Sequence, residues 1–549
     1  MKTIVIFLLS IALAIAVRAQ TGSINNTLGT GGSFNVKDGS ESFMRVEQAS
    51  GNAIFLKNLE LGNLDNSLTG VGVITKNNKR FLHNYAPNGS EFNNLFIGLE
   101  AGNFTMGGGS LTYQSSYNTG VGSNSLASLT TGYSNTAVGS KSLLLNTTGY
   151  DNTAVGYCPL YTNISGTYNV AVGNYSLFQN TTGFSNSAAG YKSLSSNTTG
   201  NWCSAYGAES LISNTSGNNN SAFGYQSLYY NNGNGNSAFG NGTLLLNNIG
   251  NNNSAFGYQS LYSNSTDSNS AFGYRTLFSN ETGILNNAFG SRAIYSNTWG
   301  INNSAFGSNS LFFNTTGSEN SALGNTSLQS NTNGVGNTAI GYGSLRNNSS
   351  GSHNVAVGKF AGSWNTTGTN NIAIGYNAQV ANWSMDDQVR IGNASIVLAT
   401  VQVPWSVTSD RRWKENIQPT NLGLNFISKL NPVSYTRKND EKHKSEYGLI
   451  AQELEGVLKS ERVENAGMLT ITDDGYYELR YNDLFAPIIK AIQELKNEND
   501  QLKSEVESLK SVKEQLAEIE SLKEELADQI KMLKANNEST DVKFSSIED

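Results

Sequence analysis

The chain has 549 residues, with 35 Lys/Arg against 42 Asp/Glu and a formal net charge of −7, long enough for several units. That balance is too mild, and too poor in basic stripes, to fit a nucleic-acid partner. The charge is also uneven: residues 405–549 hold 20 Lys/Arg and 28 Asp/Glu, whereas residues 122–375 hold about 11 charges in all. Two different materials are joined in one chain.

Lys2, the apolar run over residues 4–17 and the small-residue site Val17-Arg18-Ala19 before Gln20 read as a secretory signal over residues 1–19. The run is short for a membrane span, and no later segment approaches about 18 apolar residues. No integral membrane anchor is therefore expected in the mature chain. Over residues 20–95, apolar and polar residues alternate between Gly-containing turns, which predicts a β-rich cap or adaptor. The segment FIGLEAGNF, at 96–104, reads as a degenerate first coil.

One pattern then dominates, as in NTAVGSKSLLLNTTG and NSAFGYQSLYYNNG. Its closing glycine recurs as Gly122, Gly139, Gly156 and so on to Gly375, sixteen in all, stepping by 17 residues and twice by 16. Such a period marks a solenoid or an array. Ala stands two residues before the glycine in each copy from Ala137 to Ala373, and Leu or Ile four after it from Leu126 to Leu345. Asn follows three later, from Asn146 to Asn365. Two short apolar patches separated by Gly/Asn-rich corners predict two strands and two turns per coil. Helices are excluded by the lack of a persistent 3.6 period. A parallel β-solenoid advancing about 4.8 Å per coil would make a rod of roughly 70 Å, with Asn residues in ladders. Its thin core gains by burial against identical neighbours.

The motifs NTAVG, NSAFG and NVAVG, over roughly residues 118–380, resemble the head repeats of trimeric autotransporter adhesins. The resemblance implies a left-handed parallel β-roll that trimerises. No membrane β-barrel follows, so self-secretion through such an anchor is not implied. Calcium-binding rolls need regular Asp, which is missing. The Thr of NTTG sits at corners, unlike the flat ladder of an ice-binding face, and the scattered Asp151, Glu209, Asp267, Glu281 and Glu319 do not form a carbohydrate-cleaving site. The Asn-x-Ser/Thr triplets follow the repeat and are read as turn chemistry. Cys158 and Cys203 differ in repeat phase and lie more than two coils apart, beyond disulfide reach; free thiols are expected.

Beyond Gly375 the repeat decays, and DQVRIGNASIVLATVQVPW predicts a few longer strands. Then SDRRWKENI brings five charged side chains within six positions, from Asp410 to Glu415. The spacing of Leu424, Ile427 and Leu430 predicts a short helix ended by Asn431-Pro432. VSYTRK reads as a strand, and GLIAQELEGVL as a strand running into a helix. These motifs, over about residues 405–500, resemble the intramolecular chaperone peptidase domain of phage endosialidases and tail fibres, which also occurs in some cellular proteins. The resemblance implies a domain that trimerises, guides folding of the upstream β-fibre and then cuts itself off. It makes Ser409 the nucleophile and Lys414 the general base, with cleavage at Ser409–Asp410. Trp413 stands where that family commonly has Leu.

A serine hydroxyl attacks an amide only once a base takes its proton. Lysine can serve if burial or nearby cations, here Arg411 and Arg412, lower its pKa from about 10.4 toward 7–8. Five residues apart on a helix, Ser409 and Lys414 would point about 140° apart. They can meet only through a turn or between subunits. His83, His353 and His443 are isolated, and no metal cluster or cofactor motif is present. From Ile488 on, Ile492, Leu495, Asn499, Leu502, Val506 and Leu509 alternate steps of three and four, a coiled-coil seam whose phase slips near Val512.

The sequence therefore predicts a mainly β, trimeric protein. A parallel β-solenoid or β-roll shaft of about 16 repeats of 17 residues spans 96–380, and a β connector spans 381–408. A small α+β chaperone domain (409–487), a coiled coil (488–535) and a flexible tail (536–549) follow. The expected function is that of a secreted or surface fibre, adhesin-like, that folds with its own chaperone and releases it by autoproteolysis. No other catalysis and no cofactor or metal is expected. The expected partners are two further copies of the chain, with host or matrix glycans or other surface ligands for the repetitive polar shaft. The alternative is a non-cleaving fibre whose C-terminal domain only trimerises. A virion tail fibre is disfavoured by the export signal.

Overall fold

A computed structural model describes residues 33–38, 41–47, 53–55, 73–77, 79–87, 93–107, 109–464 and 466–544. The expected signal, much of the cap and the last five residues lie outside these. The chain forms two compact units, residues 1–218 and 219–549.

In the first unit, strands Ser33–Asp38, Glu41–Glu47 and Ala53–Phe55 form an antiparallel sheet. Ile74–Lys76 and Lys79–His83 form a hairpin, and its second strand pairs antiparallel with Leu95–Ile97. From there to Ser204–Tyr206 every strand pairs in parallel with the next. In the second unit the same parallel pairing runs from Ser221–Phe223 to Val389–Ile391. Both units are thus β-solenoids, as the period predicted.

Each coil holds one three-residue strand, such as Thr136–Val138 or Ser254–Phe256, and not the two predicted. The second apolar patch is a turn. Its leucine is buried with left-handed backbone: Leu143 at φ 51°, Leu261 at φ 49° and Leu311 at φ 50° are all fully buried. An L-residue there costs about 1–2 kcal/mol, which burial of a Leu side chain, worth about 1.5–3 kcal/mol, offsets. The strand's central Ala points inward, as fully buried Ala137 and Ala255 show, because a coil this narrow has no room for more.

Two asparagine ladders run beside the leucines. In one, Asn163, Asn180 and Asn197 each donate from Nδ2 to the Oδ1 of the asparagine one coil earlier, at 2.7–2.8 Å. In the other, Asn135 and Asn152 direct both backbone N–H and Nδ2 at the preceding Oδ1. Buried amides thus satisfy one another coil by coil. Cys203 stands in a ladder position, its N–H on Asn186 Oδ1 at 3.0 Å and its thiol on Gly217 O at 3.2 Å. Both cysteines are buried and free. Where a coil has 16 residues, the corner after the buried Asn loses one residue and the ladder continues: Asn247 Nδ2 still reaches Asn231 Oδ1 at 2.8 Å.

The repeat's closing glycine has no substitute. Gly257 has φ 124°, and a Cβ there would lie 2.4 Å from the carbonyl oxygen of Gly273 on the next coil. Gly242, at φ 62°, would place its Cβ 3.4 Å from the flexible side chain of Gln259. Gly257→Ala should therefore cost about 3 kcal/mol through strain and overpacking, and Gly242→Ala about 1 kcal/mol. Amide hydrogen exchange across the neighbouring coils measures both.

His83, read from sequence as isolated, closes the first coil. Its Nε2 lies 2.8 Å from Ala101 O, and the Tyr85 N–H donates to Nδ1 at 3.3 Å. Phe96 and Phe104 pack on the ring at 4.8 and 4.7 Å. Burial lowers its pKa to about 4 from 6.5, partly opposed by the bond to Ala101. The folded form holds the neutral ring, whereas the unfolded chain takes up a proton near 6.5. This contribution is therefore complete above about pH 6.5 and falls by about 3 kcal/mol as the pH drops toward 4. Exchange protection, corrected for the slower intrinsic exchange at low pH, should fall in residues 79–87 and 93–101 over that window in the wild type, and less so in His83→Gln.

After the solenoid the second unit changes character. Helix Leu424–Ser428, strands Val433–Tyr435 and Glu446–Gly448, helix Ala451–Ser460 and the hairpin Leu469–Ile471 with Tyr477–Leu479 form a small α+β fold. Its core is Leu422, Phe426, Leu454, Leu458, Met468 and Leu484. Leu424, Ile427 and Leu430 only flank Phe426, the residue that the short helix buries. Helix Phe485–Phe544 then runs through the expected coiled coil and into the stretch read as a tail. Near its base Glu494 accepts the Leu424 N–H at 2.6 Å, fastening the two helices; this bond holds its carboxyl below the usual range. Further along, Ile492, Leu495, Leu502, Val506 and Leu509 are each at least half exposed. No helix among the described residues is long and apolar enough to cross a membrane.

Candidate functional site

The segment between the solenoid and the α+β fold is built around one tight turn. Asp410 has extended backbone (φ −69°, ψ 137°), and its carboxylate accepts the Arg412 N–H at 2.8 Å, capping the 3-10 turn Arg411–Trp413. The same carboxylate takes the Arg412 guanidinium at 2.7 and 3.1 Å. These bonds, the side-chain pair first, hold the Asp410 carboxyl below its ordinary range. The turn closes with Trp413 N–H on Asp410 O and Lys414 N–H on Arg411 O, both at 3.1 Å.

That turn overcomes the five-residue spacing. Lys414 Nζ donates to Ser409 Oγ at 2.6 Å within one chain, so of the two routes open in the sequence, the turn suffices for contact. Arg411 and Arg412 flank the pair, but neither they nor burial enclose it: Ser409, Arg411, Arg412 and Lys414 are all exposed. A lysine that acts as a base needs a site closed to water, and Lys414 stands open to it. Nucleophile and base are in contact, while the dry surroundings are missing from the single chain.

A second contact was hidden in the sequence. The repeat's inward Ala should recur after Ala373, and Arg390 stands there, paired in register with Ala373. Arg390 forms an ion pair with Glu478 of the hairpin. Asp473, in the same hairpin, accepts the Trp383 N–H at 2.5 Å and donates its own N–H to Ala381 O at 2.9 Å. The hairpin thus caps the last coil, and Ala-to-Arg at a position otherwise held by Ala was the readable signal. A cleft of about 470 Å³ opens beside it, lined in part by Trp364, Trp383, Arg437 and Tyr477; Ser409 and Lys414 do not line it. Among the described residues no group of three His, Cys, Asp or Glu could hold a metal ion.

Residues 409–462 match the family model described as chaperone of endosialidase. The match begins at Ser409 and covers the turn, the short helix and the helix Ala451–Ser460, so the C-terminal resemblance read from these motifs holds for this segment. No curated protein and no solved structure matches the chain.

If Asp410 holds the turn together, Asp410→Ala should speed hydrogen exchange at the Arg412 amide by at least tenfold. Residues in the helix Ala451–Ser460 should be unchanged. Unchanged exchange at Arg412 would remove Asp410 from that role.

Proposed function

We propose that this is an exported trimeric fibre, adhesin-like in its shaft, whose C-terminal segment guides folding of the β-solenoid and then releases itself by a single cut at Ser409–Asp410. The observation that carries the reading is the 2.6 Å contact of Lys414 Nζ with Ser409 Oγ at the first residue of a chaperone-of-endosialidase match, directly after a β-solenoid. Ser409 Oγ is the nucleophile and Lys414 takes its proton. Water completes the hydrolysis, leaving a carboxylate on Ser409 and an amine on Asp410. Attack by Ser409 on its own carbonyl would close a strained four-membered ring. The serine of a neighbouring copy escapes that strain, which ties cutting to assembly.

Self-association is supported by the apolar surfaces that the single chain leaves in water. One is the helix seam. Another is the column Phe223, Phe239, Phe256, Phe272, Phe289 and Phe306, stacked at 4.6–4.8 Å with planes within 8°. These rings cover one another's faces and turn only edges outward, so they suit packing against protein better than stacking on a sugar. Glycan or matrix ligands belong instead to the polar corners and exposed tyrosines. Export rests on the signal-like residues 1–19.

A second reading, a fibre that trimerises and never cuts, is favoured by the exposure of Ser409 and Lys414. Denaturing gels of expressed protein separate the two. Wild type should give fragments of about 400 and about 140 residues, while Ser409→Ala and Lys414→Ala stay full length with the same native mass. A full-length wild-type band would leave the non-cutting fibre.

A further inference from the structure

The connector before Ser409 is where sequence and fold disagree. Its pattern predicts strands, yet after Val389–Ile391 the structure has none before Ser409. Val401, Val403, Trp405 and Val407 alternate with Gln402, Pro404, Ser406 and Thr408, the mark of a strand with one apolar face. The four apolar side chains are 56–75% exposed. Among the described residues, no backbone group of 397–409 has a hydrogen-bond partner.

We propose that residues 398–408 form a strand only against the same segment of other copies of this chain, so that their apolar faces close together around the Ser409–Lys414 pair. This rests on the trimeric reading above and names the surface that completes it. Three observations select a second copy as the occupant. Residues 392–409 carry no charged side chain, so identical segments can lie in register without like-charge repulsion. Pro404 lacks an N–H and interrupts any continuous ladder, so backbone pairing between the segments stays short and does not grow into an open sheet. The apolar strip also resumes beyond the site, in Trp413 at 82% exposure and in the helix seam. Ser409 and Lys414 therefore sit between two self-complementary surfaces. Closing both withdraws the lysine from water, which the single chain fails to do.

The test uses the full-length protein with Val403→Cys or Gln402→Cys, mild oxidation and a denaturing gel; Cys158 and Cys203 are buried and stay in place. Native mass is measured by light scattering, and wild-type hydrogen exchange covers any variant that fails to assemble. The expected results are a mass of three chains, crosslinking of Val403→Cys at least tenfold faster than of Gln402→Cys, and exchange at 397–408 slowed at least 100-fold against a free peptide. A mass of one chain would overturn the trimer and this inference with it. A mass of three chains with equal crosslinking at both positions and unprotected exchange would leave the trimer standing and overturn the connector strand alone. Because Val403 lies upstream of Ser409, the readout survives whether or not the chain is cut.

Discussion

The close approach of one coil's glycine to the carbonyl of the next governs this protein. At φ values near +130° no side chain fits, and the missing Cβ lets neighbouring coils come within strand spacing. Everything else in a coil follows from that distance. From Ala137 to Ala373 alanine fills the strand's inward position, small amides line the corners in ladders, and leucine fills the remaining gap in a left-handed turn. Stability is thus spread through a stack of nearly identical contacts, each depending on the coil beside it.

The solenoid of the first unit opens, and that of the second unit closes, against structure outside the repeat, and the two closures differ. The first coil is closed by the hairpin ending at His83, whose buried neutral ring joins Ala101 and Tyr85 in one small polar network. The last coil is closed by Arg390, Asp473 and Glu478, where a charged partnership replaces the repeat's alanine. Shaft and C-terminal fold are therefore mechanically joined by side chains as well as by the connector. A segment that guides folding of the shaft needs such a foothold on it.

Much of this was legible in the residues. Glycine, alanine, leucine and asparagine recur at fixed phase, and that phase is enough to infer a solenoid with amide ladders. The count of strands per coil was not readable, because a leucine four residues after glycine looks like a strand residue while its backbone is at φ near +50°. The Ser409–Lys414 contact depended on Asp410, whose side chain makes the turn; spacing alone excluded a helix and left a turn and a contact between subunits both open. The hairpin cap was missed because Arg390 was read as part of a fading repeat. The connector's alternation predicted strands, and after Val389–Ile391 the structure has none before Ser409.

The two 16-residue coils carry a lesson about heredity. A corner gave up a residue at each; the alanine column kept its register, and Asn236 and Asn269 kept their backbone bonds to the preceding coil while turning Nδ2 to Asn231 and Asn264. Copying or deleting a whole period in the gene would likewise leave both closures and every column intact. The number of coils can then change by whole periods without any new fold.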